Sequence, residues 1–500
     1  MFHVSDLYLL APQLSLALLA MAVMLVDLFV KRRIVTVAVA LIGLIIPLGF
    51  VISQIFLIDT LVANHTLVAN HAFFGMLIVD KYALFFDVIF LIVAAVMILA
   101  SYSYVGKYVK ADGEFYTLML FSVTGMMFMA STAELITIYI SFELTSIPLY
   151  VMAGLLRTGE RSAEAAVKFV LLGAMSSAIL LYGFALLYGL TGTTDLIGIA
   201  NSIKAGVHNG NALVLIAAVL ILAGFGFKIS AVPFHMWAPD IYEGAPTPAT
   251  AFFSVGSKAA GFAALIRVFI YGGLGQVNLT SLITIVSIIA VLTMTLGNLV
   301  AAVQTNVKRM MAYSSIAQVG YILVGFIASI SGNNADGTTA VLFFILVYVI
   351  TNLGAFSGII ALANATGGEK IEDFRGLAKR APLLSAGTAL CLLSLAGIPP
   401  LAGFVSKVFI FTAAWGQGLA WLVIIALINT VVSLVYYGRI VKAMYFEAPL
   451  KDDHITTPIG LSSSITLTTA ALIVITFAAQ VILLLASPAA RSLLAFLPGR

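Results

Sequence analysis

Apolar stretches of about 20 residues, divided by short polar segments, recur from one end of the chain to the other. A helix needs roughly that length to cross a bilayer. Fourteen such stretches stand near 9–30, 34–57, 82–105, 115–132, 134–156, 162–190, 211–243, 249–272, 280–303, 308–330, 338–363, 383–415, 419–446 and 463–486. The pattern predicts an all-α polytopic membrane protein with about 14 transmembrane helices. The first stretch is too long for a cleaved signal and has no basic segment before it, so it is expected to stay as a helix.

Composition agrees with the pattern. Of 500 residues 62% are hydrophobic and 9% charged, against about 25% charged in soluble domains. The single cysteine, Cys391, excludes an intrachain disulfide and a cysteine-ligated iron–sulfur cluster. The six histidines (His3, His65, His71, His208, His235 and His454) show no metal-ligand spacing. No dinucleotide fingerprint and no nucleic-acid signal is present. The net charge of +4 says less than its placement. Alternate loops carry Lys31-Arg32-Arg33, Lys107/Lys110, Arg157/Arg161, Lys308-Arg309, Lys370/Arg375/Lys379/Arg380 and Lys451, and the loops between them hold almost no Lys or Arg. Basic loops stay cytoplasmic, so both termini are expected on the outer side.

Two stretches are interrupted. The seventh runs through Lys228 into Pro233, His235 and Pro239, followed by Gly244-Ala245-Pro246-Thr247-Pro248; the twelfth holds Gly397, Pro399, Pro400 and Gly403 just before Lys407. Proline removes a helix hydrogen bond and clashes with the preceding turn. Inside a membrane such breaks persist only within protein or beside water. Their spacing of five spans suggests two five-helix repeats, spans 4–8 and 9–13. An odd number of helices per repeat turns one copy upside down relative to the other, the design in which paired broken helices mark an ion site. The expected divisions are 1–110, a three-helix segment; 111–272 and 273–447, the two repeats; and 448–500, a final helix and tail.

Five ionisable residues stand away from helix ends: Glu143, Lys168, Lys228, Lys258 and Lys407. At helix centres they would oppose insertion by roughly 12–17 kcal/mol in sum. One acid cannot neutralise four bases, so a static bridge with snorkelling lysines accounts for them poorly. Low dielectric disfavours the charged form of a lysine, and an amine drawn toward neutrality can take up and release protons. A chain of lysines switched by a Glu–Lys pair would form a relay, with His235 bridging past the break. Asp27, Asp80 and Asp87, near span ends, are expected at the interfaces. Arg267 is expected to anchor its helix, and Glu134 stands at a span start.

Residues 225–268, FGFKISAVPFHMWAPDIYEGAPTPATAFFSVGSKAAGFAALIRV, resemble the signature stretch of the antiporter-like subunits of respiratory complex I. Within that group IYEGAPTP followed by GSKAAG is similar to the branch called subunit N, or subunit 2 in mitochondria. ISFELTSIPLYVMAGLLR (140–157), SAEAAVKFVLLGAMSSAILLYGFALLYGLTGT (162–193), NVKRMMAYSSIAQVGYILVG (306–325) and LLSLAGIPPLAGFVSKVFIF (392–411) support it. The resemblance covers about 110–447. It implies a proton-translocating membrane-arm subunit of NADH:quinone oxidoreductase in a bacterial cytoplasmic (inner) membrane. It assigns Glu143 and Lys168 as a coupling pair between the fifth and sixth helices. Lys228, Lys258 and Lys407 become a central axis, with His235 between the first two. It also implies that this chain holds no cofactor. NADH, FMN, iron–sulfur clusters and quinone are expected in partner subunits, beside further antiporter-like subunits, and protons and membrane lipid are the other partners. The alternatives are a subunit of a multi-subunit cation/proton antiporter, a membrane subunit of a related hydrogenase or ferredoxin-linked complex, and an inert anchor.

Overall fold

A computed structural model describes residues 4–30, 32–63, 70–73, 75–109, 111–156, 159–205, 212–332, 335–450 and 454–494. Lys31, Lys110, Arg157, Lys451, His3, His65 and His208, and most of the 64–70 loop, lie outside the described residues. Thirteen helices among the described residues are long and apolar enough to cross a membrane. They are Ala11–Val30, Arg33–Leu57, Lys81–Tyr108, Asp112–Ser131, Leu135–Ala153, Glu160–Thr191, Ala212–Ile229, Thr247–Tyr271, Leu279–Val303, Val307–Ser331, Asp336–Thr366, Ala420–Phe446 and Ile459–Phe477. The twelfth predicted stretch supplies two shorter helices, Pro382–Ala396 and Ala402–Gly416. Counted as one interrupted span, they bring the total to the fourteen that the apolar pattern predicts.

Span 7 is interrupted as expected: Ala212–Ile229 ends, and Trp237–Gly244 resumes after a turn. Spans 8, 10 and 11 form the buried centre, while one face of spans 6, 9 and 13 stays exposed. Exposed Leu171, Leu292 and Val431 belong to those outer faces, as expected where lipid or another apolar surface covers them.

Polar residues at span ends cap helices. Asp80 accepts from the Ala83 amide at 2.7 Å, Glu134 from Thr137 at 2.8 Å, Asp195 from Gly198 at 2.7 Å and Asn306 from Arg309 at 3.1 Å. Each side chain satisfies an amide that the helix leaves without an internal partner.

Three expectations need correction. The last stretch, placed at 463–486, is two helices, Ile459–Phe477 and Ala479–Leu494, because the chain leaves helical geometry at Ala478 (φ −108°, ψ 25°). Asp80 and Asp87 are not interfacial; both are buried. Asp80 forms a two-pronged bridge with the fully buried Arg267, at 3.0 and 2.9 Å, and Arg267 also donates to Ala130 O at 2.9 Å. This clamp ties the start of span 3 to the ends of spans 4 and 8. A short hairpin, Asn70–Ala72 paired with Leu77–Val79, escaped the apolar pattern because three-residue strands are too short to show alternation.

Candidate functional site

The interruption in span 7 is closed by its own neighbours. Phe227 O accepts from the Ser230 amide at 3.0 Å and the Trp237 indole at 2.8 Å, and the Val232 amide donates to Thr293 Oγ1 at 3.0 Å. In the last turn before the break, Lys228 is 3% exposed. Its ammonium donates to Ser146 Oγ at 2.5 Å and lies 4.6 Å from the centre of the Phe142 ring. Both partners flank Glu143 on span 5. Glu143 is half-buried and accepts a hydrogen bond from Ser177. It sits between the exposed Ile140 and Ile147, so the carboxylate reaches the lateral surface of the subunit.

Span 8 carries the next amine. A π-helical turn, Phe253–Ser257, directly precedes Lys258; such bulges recur at functional sites because they rotate the following residues and free backbone groups. Tyr348 donates to Ser254 O at 2.8 Å and Asn352 to Ser254 Oγ at 2.7 Å. Lys258, 1% exposed, donates to Ser315 Oγ at 2.6 Å and faces the Tyr242 ring at 5.9 Å. No carboxylate pairs with it among the described residues. Gly261, one turn on, lets the two spans close up: a β-carbon there would stand 3.1 Å from Lys228 Cγ and 2.8 Å from Ile229 Cγ2. The Lys228 stem thus packs on span 8 one helical turn from Lys258.

The break in span 12 answers the burial of Lys407 differently. Gly397 takes φ +85°, a conformation that favours glycine, and ends the helix Pro382–Ala396. The carbonyls at that end carry the negative pole of the half-helix. Lys407 donates to two of them, Leu395 O at 3.3 Å and Ala396 O at 3.2 Å, with its ammonium 4.7 Å from the Tyr321 ring centre. Gly403 permits the close crossing, since a β-carbon there would fall 1.8 Å from Ser394 O. A helix terminus, rather than a carboxylate, is the counter-charge for Lys407.

Neutral groups stand between Lys258 and Lys407. Ser315 and Gln318 lie one turn apart on span 10; Ser315 receives Lys258, and Gln318 donates to Leu395 O at 3.0 Å, a carbonyl it shares with Lys407. A cavity of about 10 Å³, lined by Gln318, Tyr348, Thr351, Ser406 and Lys407 among others, is at the lower limit for one water. Ser146, Ser315, Gln318 and Tyr348 were not singled out from the sequence, where a buried hydroxyl or amide is indistinguishable from helix packing.

Two expected members stand apart from this line. His235 is half-buried just past the break, and its buried Nδ1 has no hydrogen-bond partner among the described residues. Lys168 does not pair with Glu143. Ser177 contacts Glu143, and Lys168 precedes Ser177 by nine residues, about 14 Å along the helix and half a turn around it. Lys168 therefore points elsewhere, to Glu164 at 2.7 Å and Asp240 at 2.8 Å. Arg309 completes the group by reaching Asp240 at 2.8 Å and Glu243 at 3.0 Å, around a cavity of about 150 Å³ on the face that carries the basic loops. On span 5, Lys228 meets Ser146 and Phe142, the neighbours of Glu143.

Fourteen spans, two of them broken around buried amines, define a polytopic membrane subunit of the antiporter-like class. Residues 132–433 match the family described as NADH:quinone oxidoreductase/Mrp antiporter, transmembrane, and the chain belongs to that family. It is 46% identical over 383 residues to the NADH-quinone oxidoreductase subunit N of Desulfitobacterium hafniense, which covers 74% of this chain and 77% of that protein. A chain of respiratory complex I from Thermus thermophilus superposes with a TM-score of 0.77 at 30% identity, covering 94% of this chain and 98% of that one. A chain of the Mrp complex from Dietzia sp. shares the fold, with a TM-score of 0.85 at 19% identity over 98% of this chain and 99% of that one.

Proposed function

We propose that this chain is a proton-translocating subunit in the membrane arm of an NADH:quinone oxidoreductase. Protons pass along Glu143, Lys228, Lys258 and Lys407, with His235 flanking the line at the first break. The observation that carries this reading is Lys258, fully buried and, among the described residues, with only a serine hydroxyl to receive its proton. A static structural amine would be expected to have a carboxylate, because an unpaired buried charge is among the costliest features a membrane fold can keep. Lys168, with Asp240 and Arg309, belongs to the mouth on the basic-loop face. That face is the cytoplasmic one by the Lys and Arg bias, which puts the two termini on the other side of a bacterial inner membrane.

Oxidation of NADH and reduction of quinone, with FMN and iron–sulfur clusters, take place in partner subunits. Coupling reaches this chain as a change in the electrostatics of the line. Moving one proton against 100 mV requires about 2.3 kcal/mol. A pKa unit is worth about 1.36 kcal/mol, so a swing of a few units suffices. Glu143, open on the lateral surface, is placed to feel a charge on a neighbouring membrane-arm subunit.

Replacing Glu143 by glutamine in the intact complex tests this. The expected result is a loss of about tenfold or more in coupled turnover and proton transport, with partial return in Glu143→Asp. Full proton pumping by Glu143→Gln in reconstituted vesicles would remove the acid from the route.

A further inference from the structure

A second cavity, of about 420 Å³, opens on the basic-loop face, away from the line of buried amines. Three segments wall it: the turn after span 9, the connection between spans 11 and 12, and the end of span 13. Four cations, Lys370, Arg375, Arg439 and Lys442, line it with two carboxylates, Glu372 and Glu447, a formal charge of +2 (four minus two). Glu447 is shared between Arg375 at 2.6 Å and Lys442 at 3.8 Å, and Glu372 is 3.3 Å from Lys370. Arg439 has no carboxylate partner among the described residues; it donates to Ala302 O at 2.6 Å and Gln304 O at 3.3 Å. The side chains of Lys370 and Lys442 are 66% and 69% exposed. Ion pairs so exposed contribute little, so another anion can take over the cations at small cost.

Spans 9 and 13 also carry apolar surface that no described residue covers. Leu299 and Val303 at the end of span 9 are 56% and 73% exposed, and Val431, Val435 and Phe446 on span 13 are 64%, 55% and 82% exposed. A cationic cup at the headgroup level, with lipid-facing apolar side chains below it, matches the two halves of an anionic phospholipid and no soluble anion. Basic pockets between membrane helices at the cytoplasmic surface recognise such headgroups, and the arginine fork suits phosphate oxygens.

We propose that this cup binds the phosphodiester headgroup of an anionic membrane phospholipid, with Arg439, Lys442 and Lys370 around the phosphate and an acyl chain along the exposed faces of spans 9 and 13. Occupancy would bridge the 11–12 connection to span 13 and so brace both sides of the broken span 12.

Photoreactive phosphatidylglycerol and phosphatidylcholine, each incorporated into bilayer discs holding the intact complex, test the site. Peptide mapping reads the cross-links. Phosphatidylglycerol is expected to label residues 299–305 and 431–446 in preference to phosphatidylcholine. Each surface cation contributes roughly fivefold to such a preference. The preference is expected to fall about fivefold in Lys442→Gln and about 25-fold in Arg439→Gln/Lys442→Gln. Lys442→Gln leaves the Arg439 carbonyl bonds intact, so the test does not depend on the double variant assembling. Equal labelling by the two probes, or an unchanged preference in Lys442→Gln, would overturn the proposal. Displacement of the phosphatidylglycerol label by inorganic phosphate would also overturn it, by marking a site for free anions.

Discussion

Lys258→Ala is expected to abolish proton transport while the complex still assembles. The side chain is 1% exposed and its one hydrogen-bond partner among the described residues is Ser315. Removing it leaves no buried charge unpaired. A lysine at the centre of a span opposes insertion by about 2.5–3.5 kcal/mol, so deletion relieves a cost that offsets the cavity left behind. Lys258→Met fills that cavity and removes the amine equally well, and it is expected to match the alanine variant. Coupled electron transfer and vesicle acidification, measured beside the amount of assembled complex, separate loss of function from loss of fold. Normal acidification in either variant would take Lys258 out of the route.

Arg267→Met is expected to have the largest structural effect. The guanidinium is fully buried and held by Asp80 at 2.9 and 3.0 Å and by Ala130 O at 2.9 Å. Removing one partner of such a pair leaves an uncompensated buried charge and costs about 3–5 kcal/mol. Replacing both partners by apolar residues of similar volume is often neutral. Asp80→Leu/Arg267→Met should therefore recover much of what Arg267→Met loses, less about 1 kcal/mol for the cap that Asp80 gives Ala83. Thermal denaturation of the purified complex and its yield from membranes read the two variants. A single variant as stable as the parent would mean that the clamp contributes nothing.

The span count and the two breaks were legible in the sequence because both depend on local features: apolar length sets the first, and Pro233, Pro399 and Pro400 the second. Lys308, buried against Glu369 at 2.7 Å, was read with the basic loops, and Lys168 is half-exposed. Lys228, Lys258 and Lys407 were legible as buried amines, since a lysine in an apolar run is conspicuous. Their partners were not. Which way Lys168 points depends on its angle around span 6 relative to Ser177, and on Asp240, 72 residues away. The Asp80–Arg267 clamp joins residues 187 apart, so each looked like an isolated charge near a span end. The half-helix terminus that receives Lys407 is made of backbone carbonyls, to which side-chain patterns are blind. Ser315 and Gln318 became visible only when span 10 was seen between the two breaks.

Proton transfer through the subunit depends on a continuous hydrogen-bonded route between Lys228 and Lys407 in its interior. A map of the intact complex at a resolution that shows ordered water tests it most directly. The predicted result is water bridging Lys228 to Lys258, and water in the space among Gln318, Tyr348 and Lys407, with Ser315 completing the connection. A dry apolar barrier across either gap, persisting in both the resting and the turning-over complex, would contradict it.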